Sequence, residues 1–419
     1  MLRKFIKSEY VFSVIARLVT VGIGVLHSIA FARFLGPELK GMAATIQSYS
    51  GILSILLTFG MQEAYPYYKR HYNDFTFKNR FLTLNVALFV MYEMIGLLLA
   101  LVTQYLWSTI GLTLLISPWS ALSTVVAYVL LIEKPIKQNK ALVLISILET
   151  LLSWILLISA TANIFWLLLL LEFSFVAKVG YCLAALEYKY DKNGLKCNFV
   201  FDMFKFGFWP MLGLILTGLN YKIDIIMLSA YKCITLADIG IYSIGVSLAD
   251  KTVYIPDAVR EILLSKLAKG AGDNEVARAI RMCLPISLGL TIILIAMGKP
   301  IIGIMYGSAY YSAYNVTVIC VFGTAIMVIF KMISQWNVVH KKQMLNTIML
   351  AISVVANVVA NTFAIPRYGI LGAAYASIVG YFVCDFIFLL YFSQKTGITV
   401  RNILFITKND IKTLYKKIH

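Results

Sequence analysis

Ionisable side chains set inside long apolar runs are the residues of this sequence that could do chemistry. A charge in hydrocarbon is costly and persists where it has a partner or a task. Arg17 lies about two turns into the first apolar run. Ser13, Arg17, Thr20, Gly24 and His27 recur there at spacings of four, three, four and three, which puts them on one helix face. A polar stripe carrying a cation lines either a helix contact or an aqueous cavity, and the cavity is the expectation; His27 by itself reads as readily as a hydrogen-bonded packing residue. A later run carries Asn220, Lys222 and Asp224. Asn220 and Asp224, four apart, share a face, with Gly213 and Thr217 continuing it, and Lys222 points roughly the opposite way. The next run holds Asp250 and Lys251 beside Ser243, Ser247 and Tyr254, and Glu93, Glu149, Glu172, Lys178 and Asp385 lie in other runs. Several of these read as structural ion pairs, whereas Arg33, Glu63 and Lys331 read as groups near span ends that snorkel to the interface. An interior that keeps Arg17, Lys222 and Lys251 suits an anionic substrate, because a phosphate gains more from Arg or Lys in a low-dielectric site than in water. Thr20, His27 and Asn220 would add polar lining. Asp224, Asp250 and Glu93 are the candidates for coupling to an ion, and nothing in the sequence chooses between H⁺ and Na⁺.

The elements that must position these groups follow from composition. Of 419 residues, 60% are hydrophobic and 14% charged, and the mean hydropathy is +0.82. Soluble domains carry roughly 25% charged and about 45–50% apolar residues, so a soluble fold is excluded, as are disorder, collagen and coiled coil. A spanning helix needs about 20 apolar residues. Apolar runs fall at 11–32, 42–64, 81–101, 109–132, 141–160, 163–186, 205–230, 238–258, 283–304, 314–337, 345–365 and 370–392. The expected fold is therefore an all-α polytopic membrane protein of twelve transmembrane helices. It has an N-terminal lobe (1–187), a linker (188–204), a C-terminal lobe (205–392) and a basic tail (393–419). Residues 161–163 read as the turn between the fifth and sixth runs, and Pro118 as a kink tolerated in the fourth. The first run, with its basic lead and no small-residue cleavage site, reads as an uncleaved span.

The formal net charge is +17, which in a soluble protein would raise nucleic acid as a partner. Here the positive-inside rule accounts for it and no nucleic acid is expected. Twenty-seven Lys and Arg fall in alternate connections that include both termini, five in the opposite loops and five within runs, which places both termini in the cytoplasm. The six cysteines are scattered and read as apolar fillers. No GxxxxGK[ST], HExxH or GxSxG occurs. No loop is long enough for a catalytic domain, so an enzyme is not expected, nor a cofactor or metal. The connections 33–41 and 232–240 each end in Gly before a small, hydroxyl-rich helix, a faint duplication of the kind transporters use.

Four segments spread over the chain carry a family resemblance. They are ARFLGPELKG after the run containing Arg17, LNYKIDIIMLSAYKCITLADIGIYSIGVSLAD at 219–250, IMYGSAY at 304–310, and PRYGILGAAYASIVGY at 366–381. By these the chain resembles the polysaccharide-transporter branch of the multidrug/oligosaccharidyl-lipid/polysaccharide (MOP) exporter superfamily, the Wzx-type O-antigen and capsule flippases. The resemblance implies two six-helix lobes in a V, like those of MATE transporters, around a cationic central cavity. It also implies movement of undecaprenyl-pyrophosphate-linked oligosaccharide from the inner to the outer leaflet of the bacterial cytoplasmic membrane, for O-antigen lipopolysaccharide, capsule or exopolysaccharide. Partners would be the lipid-linked oligosaccharide, membrane lipids, and the polymerase and chain-length regulator of the same pathway. Arg17, Lys222 and Asp224 fall in spans that the family uses to line its cavity. A drug/cation antiporter of the same superfamily would want an acidic, aromatic pocket instead. A glycan polymerase or ligase would want a sizeable outside loop, and a scaffold leaves the buried charges unexplained.

Overall fold

The computed structural model describes residues 9–72, 76–102 and 108–405, and in these the chain is helical, with no strand. Ten helices among the described residues are long and apolar enough to cross a membrane, so the chain is a multi-pass membrane protein. Helices dominate because hydrocarbon offers backbone groups no hydrogen-bond partner, and the i→i−4 ladder satisfies them internally.

That number departs from the twelve expected runs for two local reasons. The first two runs belong to one element, α1 (Glu9–Thr58), in which only Gly36 leaves helical geometry, at φ 69° and ψ 175°. Glycine alone adopts that conformation cheaply, and Pro37 restarts the helix with a preset φ. The eighth run is divided. Helix α8 (Leu236–Ala249) passes through a 3-10 turn at 250–253 into α9 (Tyr254–Ala268), and neither piece alone spans a bilayer. The tenth run is also interrupted, at Met327, between α11 (Ala313–Ile326) and α12 (Val328–Val339). The other long helices follow the runs: α3 (Phe77–Val102), α4 (Thr109–Glu133), α5 (Pro135–Ser159), α6 (Ile164–Ala185), α7 (Cys197–Ala230), α10 (Asn274–Tyr306), α13 (Gln343–Tyr368) and α14 (Ile370–Thr396). Short helices α2 (Ala64–Tyr72) and α15 (Val400–Leu404) complete the set. The turn at 161–163 is present, with Asn163 capping α6 through the Trp166 amide at 3.1 Å. Helix α4 runs through Pro118 without a break. Cys182, Cys283, Cys320 and Cys384 are buried fillers, but Cys197 and Cys233 are exposed, because they sit at the start of α7 and in the turn before α8 rather than inside a span.

Contacts divide the chain into two units, 1–218 and 219–419. The segment at 188–204 and the first part of α7 therefore lie with the first unit. In that unit α1 packs on α5 and α4, and α4 on α3 and α6. Tyr65, Phe81, Leu82, Val126, Leu130 and Cys182 lie in its buried core. In the second unit α14 packs on α13 and α11, while α12 joins α9 and α10. A second core there includes Leu267, Ile280, Ile333, Trp336 and Phe388.

The 188–204 segment is strapped to the start of α3. Asp191 accepts hydrogen bonds from the Asn193 amide at 2.9 Å and from Arg80 Nε at 3.3 Å. Its own amide donates to Thr83 Oγ1 at 3.0 Å, and Lys78 Nζ donates to the Leu186 carbonyl at 2.6 Å. The Asn193 amide first, and then Arg80, hold the Asp191 carboxyl below its ordinary 3.8. A depressed carboxylate stabilises the fold fully above that ordinary value, and the contribution is lost as pH falls through the lowered one. Asp191→Ala is therefore expected to speed tryptic cleavage at Lys189, Lys192 and Lys196 several-fold at neutral pH. Unchanged cleavage would mean that the strap is held elsewhere.

Candidate functional site

The run that carries Asn220, Lys222 and Asp224 is the end of α7, and its two polar faces meet different surroundings. Asp224, 5% exposed, sits between α13 and α14. Its Oδ1 accepts from Asn361 Nδ2 at 2.8 Å and Asn357 Nδ2 at 3.2 Å. Its Oδ2 accepts from Ser377 Oγ at 2.6 Å, and Tyr242 of α8 lies 3.3 Å from that hydroxyl. One turn back, Asn220 Oδ1 is 3.2 Å from Ser353 Oγ. Every group bonded to this carboxylate is neutral. Two atoms of the network, Asn220 Nδ2 and Asn361 Oδ1, are buried without a partner among the described residues. Among the described residues this carboxylate has neutral dipoles around it and no fixed counter-charge, which makes it a place where a proton or a monovalent cation can be taken up. Thr217 and Gly213 do not extend the network: Thr217 is exposed and bonds back to the Gly213 carbonyl at 2.9 Å.

The opposite face of α7 meets a charged cluster. Asp250, in the 3-10 turn, lies within Coulombic reach of Lys222, Lys251 and Lys331. Lys251 Nζ donates to Tyr254 OH at 2.7 Å and lies 4.8 Å from that ring's centroid. Further along α9, Asp257 binds Lys331 of α12 through both oxygens, at 2.8 and 2.9 Å. Arg260 Nε approaches the same carboxylate at 3.8 Å. Among the described residues of this cluster, Lys222, Lys251, Arg260 and Lys331 outnumber Asp250 and Asp257, and the excess is cationic. The reading of Lys331 as a snorkelling group is corrected here, since it is only 4% exposed and ion-paired. The reason is that Asp257 comes from a helix piece created by the break at 250–253, which no run boundary reveals. Breaking a buried pair strands the remaining charge at about 3–5 kcal/mol, with a lower cost where a partner is partly wet; the Asp257 side chain is 34% exposed. Lys331→Met is accordingly expected to lower stability by about 3 kcal/mol, and Lys331→Met with Asp257→Leu to recover most of it. Thermal unfolding in detergent reads both, and a double variant no better than the single would refute the pair's role.

Candidates in the first unit are dispersed. Arg17 lies in α1, but its side chain is outside the described residues. Thr20 Oγ1 bonds to the Ala16 carbonyl at 2.8 Å within its own helix. His27 Nδ1 is 3.1 Å from Ser153 Oγ of α5, so this end of the stripe makes a helix contact instead of lining a cavity. Glu63 accepts from Tyr128 OH at 3.3 Å. Glu93, on α3, lies near Glu172 of α6, and its Oε2 is buried without a partner among the described residues. Glu149 is held by Ser174 and lies near Lys178. No three His, Cys, Asp or Glu side chains among the described residues converge as a metal site.

Asn357, Asn361 and Ser377, with Asp257 and Arg260, are functional candidates missing from the sequence reading. Ser353, Asn357 and Asn361 recur every four residues along α13, so helical periodicity marks their stripe.

Comparison with known proteins places this architecture. No significantly similar curated protein is found. Among solved structures, the lipid II flippase MurJ in an inward closed conformation superposes with a TM-score of 0.72 at 16% identity, over 97% of this chain and 92% of that one. An inward-facing multidrug resistance MATE transporter of the MOP superfamily gives 0.71 at 13% identity, over 90% and 94%. An outward-facing MATE transporter gives 0.60 at 13%, over 91% and 94%. At such identities these likenesses establish the fold, that of MurJ and MATE transporters. Residues 7–252 match the family described as polysaccharide biosynthesis protein, and the chain belongs to that family.

Proposed function

We propose that this protein is a flippase that moves polyprenyl-pyrophosphate-linked oligosaccharide units from the inner to the outer leaflet of the bacterial cytoplasmic membrane, supplying O-antigen, capsule or exopolysaccharide synthesis. The observation that carries the reading is the cationic excess at Lys222, Lys251 and Arg260 in a chain of the polysaccharide biosynthesis family. A diphosphate is the anion such a cluster favours in a low-dielectric setting. The lipid II flippase shares the fold. In this reading the basic connections face the cytoplasm and the head group passes by alternating access while the polyprenyl tail stays in lipid. Arg17 contributes to the polar path, whereas Thr20, His27 and Asn220 are engaged within the helix bundle. The coupling ion, H⁺ or Na⁺, is taken up at Asp224, whose bonded neighbours are all neutral. Asp250, beside three lysines, and Glu93 are the lesser candidates. The polymerase and chain-length regulator of the same pathway receive the product, and the protein itself catalyses no covalent step.

Deletion of the gene in its native host tests this. The expected result is lost surface glycan with repeat units accumulating on the inner leaflet. Repeat units that reach the outer leaflet yet stay unpolymerised would replace the reading with a polymerase. Unchanged glycan with raised sensitivity to cationic dyes would replace it with a drug antiporter, whose fold is equally matched.

A further inference from the structure

Three neighbouring helices of the second unit lose their regular backbone ladder at one level. The chain makes a 3-10 turn at 250–253 between α8 and α9. Helix α10 carries Pro285, which has no N–H to donate and crowds the preceding turn. Helix α11 gives way to α12 at Met327. These weak points touch. Ser287 Oγ, two residues beyond Pro285, donates to the Thr252 carbonyl at 3.3 Å. Thr252 Oγ1 reaches the Ala249 carbonyl at 2.8 Å, and Thr324 Oγ1 lies 3.3 Å from that carbonyl and 3.1 Å from the Thr252 hydroxyl. From α14, Asp385 Oδ1 accepts the Phe330 amide at 2.8 Å, one of the amides at the start of α12 that its own helix leaves unpaired. Hydroxyl and carboxylate side chains thus stand in for ladder bonds, which is how a membrane span tolerates a break.

On each side of this level the pieces are joined firmly. On one side α8 and α11 are in close backbone contact. A Cβ at Gly245 would fall 2.7 Å from the Val316 side chain and 2.9 Å from the Ala313 carbonyl, and Thr317 Oγ1 lies 3.2 Å from the Gly245 carbonyl. On the other side α9 and α12 are clasped by Asp257 and Lys331, and with the first part of α10 they share a buried core through Leu263, Leu267, Ile280 and Ile333.

We propose that 250–253, Pro285 and Met327 form one compound hinge, about which α9, the first part of α10 and α12 swing as a single body and open or close the basic-loop end of the second unit. Its purpose as a gate rests on the transport reading above, but its existence does not. Helix α9 has 15 residues, an arm of about 22 Å, and a rotation of about 15° carries its tip about 6 Å.

Pulsed electron resonance on spin-labelled protein in lipid nanodiscs tests the hinge. In a Cys197→Ser background, one label goes on the exposed native Cys233, before α8, and the other on Lys269→Cys, at the end of α9. A second pair, with Cys233 also changed to Ser, joins Lys269→Cys to Lys341→Cys at the end of α12. The expected result is two distances for the first pair, separated by up to about 6 Å, and a single narrow distance for the second. Thr324→Val, which removes the hydroxyl bridging both breaks, should change the ratio of the two maxima and leave the second pair alone. A single narrow distance for the first pair, or a second pair that spreads as widely, would overturn the proposal. A hinge that behaves as expected in a protein whose deletion leaves glycan unchanged would refute the transport reading and not the hinge.

Discussion

Lys222→Ala is expected to reach the membrane at normal levels and to lower surface glycan at least about tenfold, as removal of a half-buried charge from a charged substrate costs about 2 kcal/mol or more. The residue lies on the face of α7 opposite Asp224, within reach of Asp250, so two explanations of a defect compete. Either Lys222 binds the diphosphate or it neutralises Asp250. The exchange Lys222→Asp with Asp250→Lys separates them. It preserves the local charge balance, so protein levels should recover, but it moves the cation to the 3-10 turn at 250–253, so export should not. Export restored by the exchange would assign Lys222 a structural role. Lys232→Ala, an exposed position before α8, serves as the control and should export normally.

The second large effect is expected at Asp224. Asp224→Asn is nearly isosteric and can keep the bonds to Asn357, Asn361 and Ser377 by rotating donors and acceptors, so the unit should fold. What it loses is the site's carboxylate. Export should drop to near background and lose its dependence on the ion gradient, measured by adding a protonophore or by replacing external Na⁺ with K⁺. The two treatments also identify the ion, because collapse of the proton gradient inhibits the wild type in one case and sodium replacement in the other. Export by Asp224→Asn that stays gradient-dependent would move coupling to Asp250 or Glu93. Asn361→Ala, which removes one donor and an unpartnered acceptor, should weaken the response to the ion without abolishing it.

The membrane class and most of the helices were legible in the sequence because bilayer thickness imposes a length and an apolar composition on any span, and neither depends on what packs beside it. The division of labour on α7 was legible for the same local reason. Residues four apart share a face, so Asn220 and Asp224 had to point together and Lys222 away, as they do. Partners were not legible. Asp224 is bonded from α13 and α14, more than 130 residues away in the chain, and Lys331 is paired across 74 residues. Periodicity assigns a face to a helix but not the helix that covers it. The misreading of Lys331 came from that gap, since a lysine in an apolar run looks the same whether it snorkels or meets a carboxylate. His27 shows the converse: its spacing puts it on the polar stripe, but Ser153 of α5 covers that end. The break at Met327 escaped hydropathy because its run stays apolar through it, and at 250–253 the polar Asp250, Lys251 and Thr252 mark charge in the run but not a break in the helix. Composition determines which segments enter the membrane. Whether a segment crosses as one rod or as two hinged pieces was decided only in three dimensions, where hydroxyls of Thr252, Thr324 and Ser287 and the carboxylate of Asp385 supply the bonds that a broken ladder leaves open.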